Sequence, residues 1–299
     1  MGLENTFSLL RFIANHPLNR DHKLVALGRF ARWQISQRIW NEEVVHEWVN
    51  GARFLVRRGE AGLTQNVYDG LHEFADMAFL LHLLRPEDLF VDVGANAGSY
   101  SILACAAAGA EGYAVEPVPA TYARLSENLR INHLEERVKS FNMGLGEKPG
   151  SLEFTSDQDT VNHALAAGEA AANSVKVPMT ALDLLLEGRR PTLIKIDVEG
   201  FETPVLAGAS TTLRAPTLLA VIMELNGSGS RYGYDEGRIV ESMVGYGFQP
   251  CTYEPFERRI KKLDGKNLNE GNTLFLRDVG EIEARLRSAA QIELHGKRF

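Results

Sequence analysis

VDVGANAGSYS, residues 91–101, joins the end of an apolar strand to the start of a small-residue helix. The strand is DLFVDVG, residues 88–94, and the helix runs from Ser99 to Ala108. Gly94 lets the backbone turn sharply, and Gly98 permits close approach of a ligand or of the helix itself. Asn96, between them, belongs to the residue types that tolerate left-handed backbone angles. The helix that follows presents free N–H groups at its first turn.

Outward from this unit, strands and helices alternate. GYAVEP (112–117) is a second strand, and Pro119 to Asn132 is a helix with proline near its start. RVKSFNM (137–143) is a third strand. A polar excursion over 146–174 leads to VKVPMTALDLLL (175–186), a strand and then a helix. TLIKID (192–197) and TLLAVIMEL (217–225) are strands with a helix at about 203–213 between them. A helix over 235–247 and two late strands, FQPCTYEP and NTLFLRD, complete the series. Such alternation predicts an α/β fold with a parallel sheet and helices on both faces.

Residues 1–50 read as helical, and ARFLVRRGEAGLTQNVYDG (52–70) as a strand pair turning at Gly59–Gly62. Residues 71–85 form a helix that stops before Pro86. We therefore expect an N-terminal helical and hairpin extension over 1–67, a main domain over 68–278 and a charged helical tail over 279–299 that could serve as a homodimer contact.

The composition is that of an ordinary globular protein: 44% hydrophobic and 24% charged residues among 299. A net charge of −7 argues against a general nucleic-acid binder. Cys105 and Cys251 lie far apart in apolar surroundings with no zinc-type spacing, which predicts two reduced, buried thiols. The N-terminus has no secretory-signal pattern, and the apolar runs are too short to span a membrane. A cytoplasmic location is expected. Between Arg11 and Arg38 six Lys/Arg meet one acid, Asp21, and Phe30, Trp33 and Ile35 interleave with them. This stretch is either an amphipathic helix packed on the main domain or a surface for an anionic partner, such as a membrane face or a lipid-linked sugar. Trp33, Trp40 and Trp48 are expected to pack, and His72, His82 and His133 to be structural.

The glycine loop lacks the central glycine of the dinucleotide fingerprint, which disfavours a nicotinamide-dependent dehydrogenase. A carboxylate, Asp92, ahead of the turn suits a ligand that bears a cation. S-adenosylmethionine, with its ammonium and sulfonium, fits. Glu116 ends the second strand twenty-two residues after Gly94, where an acid is placed to bind ribose hydroxyls.

DLFVDVGANAGSYS, VEPVPATYARLSENLRIN, LIKIDVEGFETPVLAGA and a strand closing in MELN together resemble the FkbM-type family of S-adenosylmethionine-dependent methyltransferases, over about residues 68–277. The resemblance implies a Rossmann-like, seven-stranded class I methyltransferase sheet, mostly parallel with the last strand antiparallel. It implies methyl transfer to a hydroxyl, often on a sugar or a polyketide. It also implies that Asp92, Gly94, Asn96, Gly98 and Glu116 hold the cofactor, with Met143 or its neighbours by the adenine.

LIKIDVEGFE, residues 193–202, then places Asp197 at the carboxyl end of a strand, and Glu224 closes the next one. Ligands of open α/β sheets bind outside that edge. Asp197 is either a base or orienter for the acceptor hydroxyl, or a ligand with Glu224 to a divalent metal. Glu199 and Glu202 flank Gly200, where they either cap the following helix or, for Glu199, touch substrate. His163, in the polar excursion, is a second candidate base, with Asn162 beside it as a substrate contact. Asn272 opens the last strand and borders the expected acceptor pocket. The leading expectation is an O-methyltransferase acting on a carbohydrate or glycan precursor. Alternatives are a polyketide or other small-metabolite acceptor, and a cofactor-binding scaffold without turnover.

Overall fold

The computed structural model describes residues 3–39, 43–57, 63–155, 162–166, 168–169, 173–269 and 271–299. Two helices, α1 (Leu3–Asn15) and α2 (Lys23–Ile39), precede a hairpin of β1 (Val44–Glu47) and β2 (Arg53–Val56). Helices α3 (Thr64–Asp69) and α4 (Phe74–Leu83) lead into the alternating region. That region runs β3 (Leu89–Val93), α5 (Ser99–Ile102, continued by a π turn to Ala107), β4 (Glu111–Val115), α6 (Pro119–Ile131) and β5 (Val138–Phe141). The excursion contributes β6 (Gly144–Leu145), β7 (Gly150–Thr155) and β8 (Ser174–Thr180), followed by α7 (Leu182–Leu185). The chain continues through β9 (Leu193–Ile196), α8 (Glu202–Ala207), α9 (Ser210–Arg214), β10 (Ala220–Glu224), α10 (Glu236–Gly245), β11 (Gln249–Glu254), β12 (Arg259–Lys262) and β13 (Asn272–Leu276). It ends with α11 (Val279–Ser288), β14 (Glu293–Leu294) and β15 (Lys297–Arg298).

The central sheet has the order β12-β11-β13-β10-β9-β3-β4-β5. The five strands from β10 to β5 are parallel, and β13 runs antiparallel between β10 and β11. The seven expected strands are all there. An eighth, β12, is added at the edge because β11 turns back on itself as a hairpin. The strand order reverses between β3 and β9, so the loops after β3 and β9 diverge and leave a crevice. Side chains alternate across the sheet. Leu89, Val91, Val93, Ile194, Ile196, Val221 and Met223 pack against α8 to α10. Phe90, Leu193, Ile222 and Leu274 pack against α4, α5 and α11. On that second face, at the carboxyl edge, the register sets Asp92 opposite Lys195 and Glu224 opposite Asn272.

The excursion strand β8 pairs with β6 and β7 in a separate three-stranded sheet rather than in the main one. Other differences from expectation have local causes. The N-terminal hairpin is β1–β2, with its turn at Asn50–Gly51, both at positive φ (51° and 80°). Residues 64–69, expected as strand, are helical instead, and the expected turn at 59–62 falls outside the described residues, as does Trp40. The charged tail is helical only as far as Ser288. Beyond it, His295 and Gly296, at φ 52° and 74°, form the two-residue turn of a hairpin. Phe299 closes that hairpin with backbone bonds to Ile292 in both directions and buries its ring against Phe74 and His82. A continued helix would leave both apolar side chains without this seat. Cys105 and Cys251 are buried thiols, and among the described residues no helix is long and apolar enough to cross a membrane.

Candidate active site

A cavity opens at the strand reversal, over the carboxyl ends of β3, β4 and β9. Gly94, Asn96, Glu116, Met143, Asn162, Asp197 and Glu199, all singled out in the sequence, line it. Val93, Val115, Leu145, Phe154 and Phe201 supply apolar wall, and the excursion reaches over it through Phe154 and Asn162. Three carboxylates and no lysine, arginine or histidine line this cavity among the described residues.

The loop after β3 is shaped by close approach. Gly94 has φ 78°, and a Cβ there would lie 1.8 Å from the carbonyl oxygen of Asp197. Gly94 and Ala95 N–H both donate to the Val115 carbonyl at 3.0 Å, which docks the loop on the end of β4. Asn96 takes φ 49°, and its Oδ1 accepts from Ala97 N–H at 2.7 Å. The Asn96 N–H donates to Glu116 Oε2 at 3.0 Å, and Val118 N–H donates to Oε1 at 2.9 Å. Each oxygen of Glu116 therefore has a fixed direction and lone-pair capacity left for a ligand hydroxyl. Burial pushes the Glu116 carboxyl up to about 7.

Around Asp197 the sheet edge holds a polar network. Lys195 Nζ donates to Asp197 Oδ2 at 2.6 Å and sits 4.6 Å from the Tyr100 ring centre. Lys195 is 3% exposed, yet its pKa is raised: burial pulls it down, but Asp197, then Glu73 and Asp92, outweigh that. Asp197 is held below the usual range because Lys195 overcomes the opposing effect of burial. Glu224 shares a hydrogen bond with Asp197, and burial together with the Asp197 charge raises its pKa far above the carboxylate range. At neutral pH Glu224 thus carries a proton that it donates to Asp197. Carboxyl oxygens of Asp197, Glu199 and Glu224 all lie within 4.8 Å of one another.

Beyond Glu224 a second, larger cleft of about 860 Å³ opens between α1, the start of α4 and the β11–β12 hairpin. Asn272 lies there, donating through Nδ2 to Glu73 Oε1 at 2.6 Å and to Asp76 Oδ2 at 3.1 Å. Tyr100 OH donates to Glu73 Oε2 at 2.9 Å, which ties the cleft floor back to the Lys195 network. Asp197 faces the first cavity and Glu224 the second, so the pair is the wall between them.

Other expected residues are placed differently. Asp92 is 1% exposed and off the cavity wall, because strand alternation turns it towards α5, where Ser101 Oγ donates to it at 2.6 Å. It supports the loop from behind. Gly98, at φ 93°, starts α5 and packs so closely that a Cβ would meet Leu125 Cδ1 at 2.7 Å. His163 is buried and bonded through Nε2 to Glu169 at 3.0 Å, while its neighbour Asn162 takes the cavity wall. Glu202 caps the loop after β9, accepting from Gly200 N–H at 3.1 Å. Lys195 and Glu73 escaped the sequence reading. A lysine between isoleucines in a buried strand was a usable signal for the first; nothing local marks the second.

The donor set fits a ligand with a cationic end, a ribose and an apolar ring. Asp197 and Glu199 offer negative charge, Glu116 offers directed acceptors, and Met143, Leu145 and Phe154 offer an apolar wall. A pyrophosphate finds no cation there among the described residues. Asp197, Glu199 and Glu224, clustered at the wall between the two cavities, are also a hard-oxygen set of the kind that divalent ions use.

The family model described as "Methyltransferase FkbM domain" matches residues 92–250. A hexuronic acid methyltransferase, AglP of Haloferax volcanii, is 27% identical over 144 residues, which is 48% of this chain and 58% of that protein. The chain thus spans under two thirds of that relative. Among solved structures, the FkbM methyltransferase of Methylobacillus flagellatus KT is 17% identical with a TM-score of 0.44, over 71% of this chain and 52% of its own. P. horikoshii TYW2, solved with MeSAdo, is 16% identical with a TM-score of 0.38, over 79% and 70% of the two chains. With the Gly94–Gly98 loop and the strands β4 and β9 inside the matched span, which covers more than half of the residues, the chain belongs to the FkbM methyltransferase family.

Proposed function

We propose that this chain is an S-adenosylmethionine-dependent O-methyltransferase that methylates a hydroxyl of a carbohydrate or glycan precursor. The observation that carries the reading is the cavity at the strand reversal, lined among the described residues by three carboxylates and no cation. Gly94 and Asn96 would hold the cofactor's amino-acid end, Glu116 its ribose, and Met143 with its apolar neighbours its adenine. When bound, S-adenosylmethionine supplies a methyl group made electrophilic by the sulfonium. The protein's share of the work is to align the acceptor oxygen and take its proton. Alignment of reacting groups supplies much of the rate in such displacements. Asp197, anchored by Lys195, orients the hydroxyl, and Glu224, once ionised, accepts the proton at a carboxylate oxygen. The sugar acceptor is supported by AglP, whose name gives it a hexuronic acid substrate.

The test is release of S-adenosylhomocysteine with a panel of sugars and nucleotide sugars. Asp197→Asn, assayed at saturating S-adenosylmethionine, should lower turnover by roughly 100-fold or more, beyond any loss of cofactor affinity. Full activity in that variant removes its role. Turnover only with polyketide hydroxyls moves the acceptor to secondary metabolites. Tighter binding of NAD than of S-adenosylmethionine ends the reading altogether.

The cluster of Asp197, Glu199 and Glu224 oxygens within 4.8 Å supports a second reading of activation, in which a divalent ion there lowers the pKa of the hydroxyl. A chelator that leaves the rate unchanged disposes of it.

A further inference from the structure

The large cleft beyond Glu224 has a charge gradient. Its inner end is acidic and buried: Asp76 and Asn272 are 4% and 3% exposed, and Glu73 and Glu224 lie beside them. Its rim is basic and open. Arg11 and Arg20 are both exposed, and neither makes an ion pair among the described residues. Arg259, also on the rim, is tied to Glu254 at 2.7 Å, and Glu257 is the exposed acid there. Between rim and floor is an aromatic wall. Phe74 and Phe256 have ring centres 5.1 Å apart, and the Arg20 guanidinium stands 5.6 Å from the Phe256 centre.

Two other basic residues of the N-terminal helices, Arg29 and Lys23, are held by their neighbours, and Arg32 and Arg38 do not line the cleft. Arg29 Nη2 donates to Asn19 Oδ1 and to the Tyr68 carbonyl and meets His295 Nδ1, so it braces α2 against the C-terminal hairpin. Lys23 donates to Asn15. Arg11 and Arg20 are thus spare charges at the mouth of a cleft whose far wall is the Asp197–Glu224 pair.

We propose that this cleft is the acceptor site and that it selects a sugar carrying a carboxylate or a phosphate. The anion is held by Arg11 and Arg20, the ring lies against Phe256, and the hydroxyl to be methylated reaches Glu224. Arginine suits both anions because its planar fork matches their paired oxygens. Acids at the inner end repel the anionic group, which fixes the orientation of the sugar. This inference rests on the function proposed above and assigns the acceptor class to the same site.

The test is calorimetry on the full chain saturated with S-adenosylhomocysteine, titrated with methyl glucuronide, glucose 6-phosphate and neutral methyl glucoside. At least one anion should bind roughly tenfold or more tighter than the neutral sugar, and which one does tells carboxylate from phosphate. The advantage should shrink with added salt and vanish in an Arg11→Ala/Arg20→Ala double variant whose S-adenosylhomocysteine affinity is unchanged. Equal or absent binding of all three sugars, or an anion preference that survives in the double variant, overturns the proposal. Anion binding without methyl transfer keeps the cleft assignment and rejects the reaction; methyl transfer with no anion preference does the reverse.

Discussion

Replacing Lys195 by methionine removes one buried positive charge and keeps most of the side-chain volume. Lys195 is 3% exposed and 2.6 Å from Asp197, with Asp92 and Glu73 also drawing on its charge. Breaking one half of a buried ion pair costs about 3–5 kcal/mol because the other charge is left uncompensated. The Asp197 side chain is 31% exposed, so water offsets part of that loss and the lower end, about 3 kcal/mol, is expected. The sign with pH follows from Asp197. In the native protein its pKa is lowered, so it contributes stability above its unfolded value that is lost as pH falls through the folded one. Without Lys195, burial raises it instead, so the variant's deficit is largest near neutral pH and shrinks towards pH 4. Urea denaturation at pH 7 and pH 4.5 measures both effects. Lys195→Met/Asp197→Asn should recover part of the loss, because the orphaned charge is gone. A loss under about 1 kcal/mol at pH 7, typical of an exposed pair, or a deficit that grows on acidification, refutes the reasoning.

Gly94→Ala should abolish measurable S-adenosylmethionine binding by calorimetry, since its Cβ has no room beside the Asp197 carbonyl and φ 78° is strained for alanine; native affinity would refute this. Glu116→Gln should weaken cofactor binding by roughly tenfold or more, since the substituted amide keeps one acceptor where the carboxylate has two; an unchanged Kd removes Glu116 from the ribose site. Because the Glu224 pKa is raised, the limiting rate should climb with pH above neutrality as the carboxyl ionises. Glu224→Gln should flatten that limb, and a flat profile in the native enzyme would sink the proton-acceptor role.

How much of this was legible in the residues depends on range. Alternation of apolar strands with helices carried the order of β3, β4, β5, β9 and β10, since burial of one sheet between helix layers writes itself into every strand. The acids at strand ends were legible for the same reason: topology brings Glu116, Asp197 and Glu224 to one edge wherever the strands are parallel. Direction was harder. Whether Asp92 looks into the cavity or towards Ser101 depends on strand phase, and DLFVDVG does not announce it. Asn50–Gly51 is a local turn signal, whereas His295 reaches its positive φ only because Phe299 and Ile292 pair across the C-terminal hairpin. Glu73 could not be found at all by local pattern. Its contacts to Tyr100 and Asn272 span 27 and 199 residues of chain, and only folding brings them together.

The most direct measurement is a crystal structure of the chain soaked with S-adenosylhomocysteine. The account predicts density at the β3–β9 crevice, with the ribose on Glu116, the adenine beside Met143 and the sulfur directed at the Asp197–Glu224 wall. Density lodged elsewhere, or none at millimolar ligand, would contradict it.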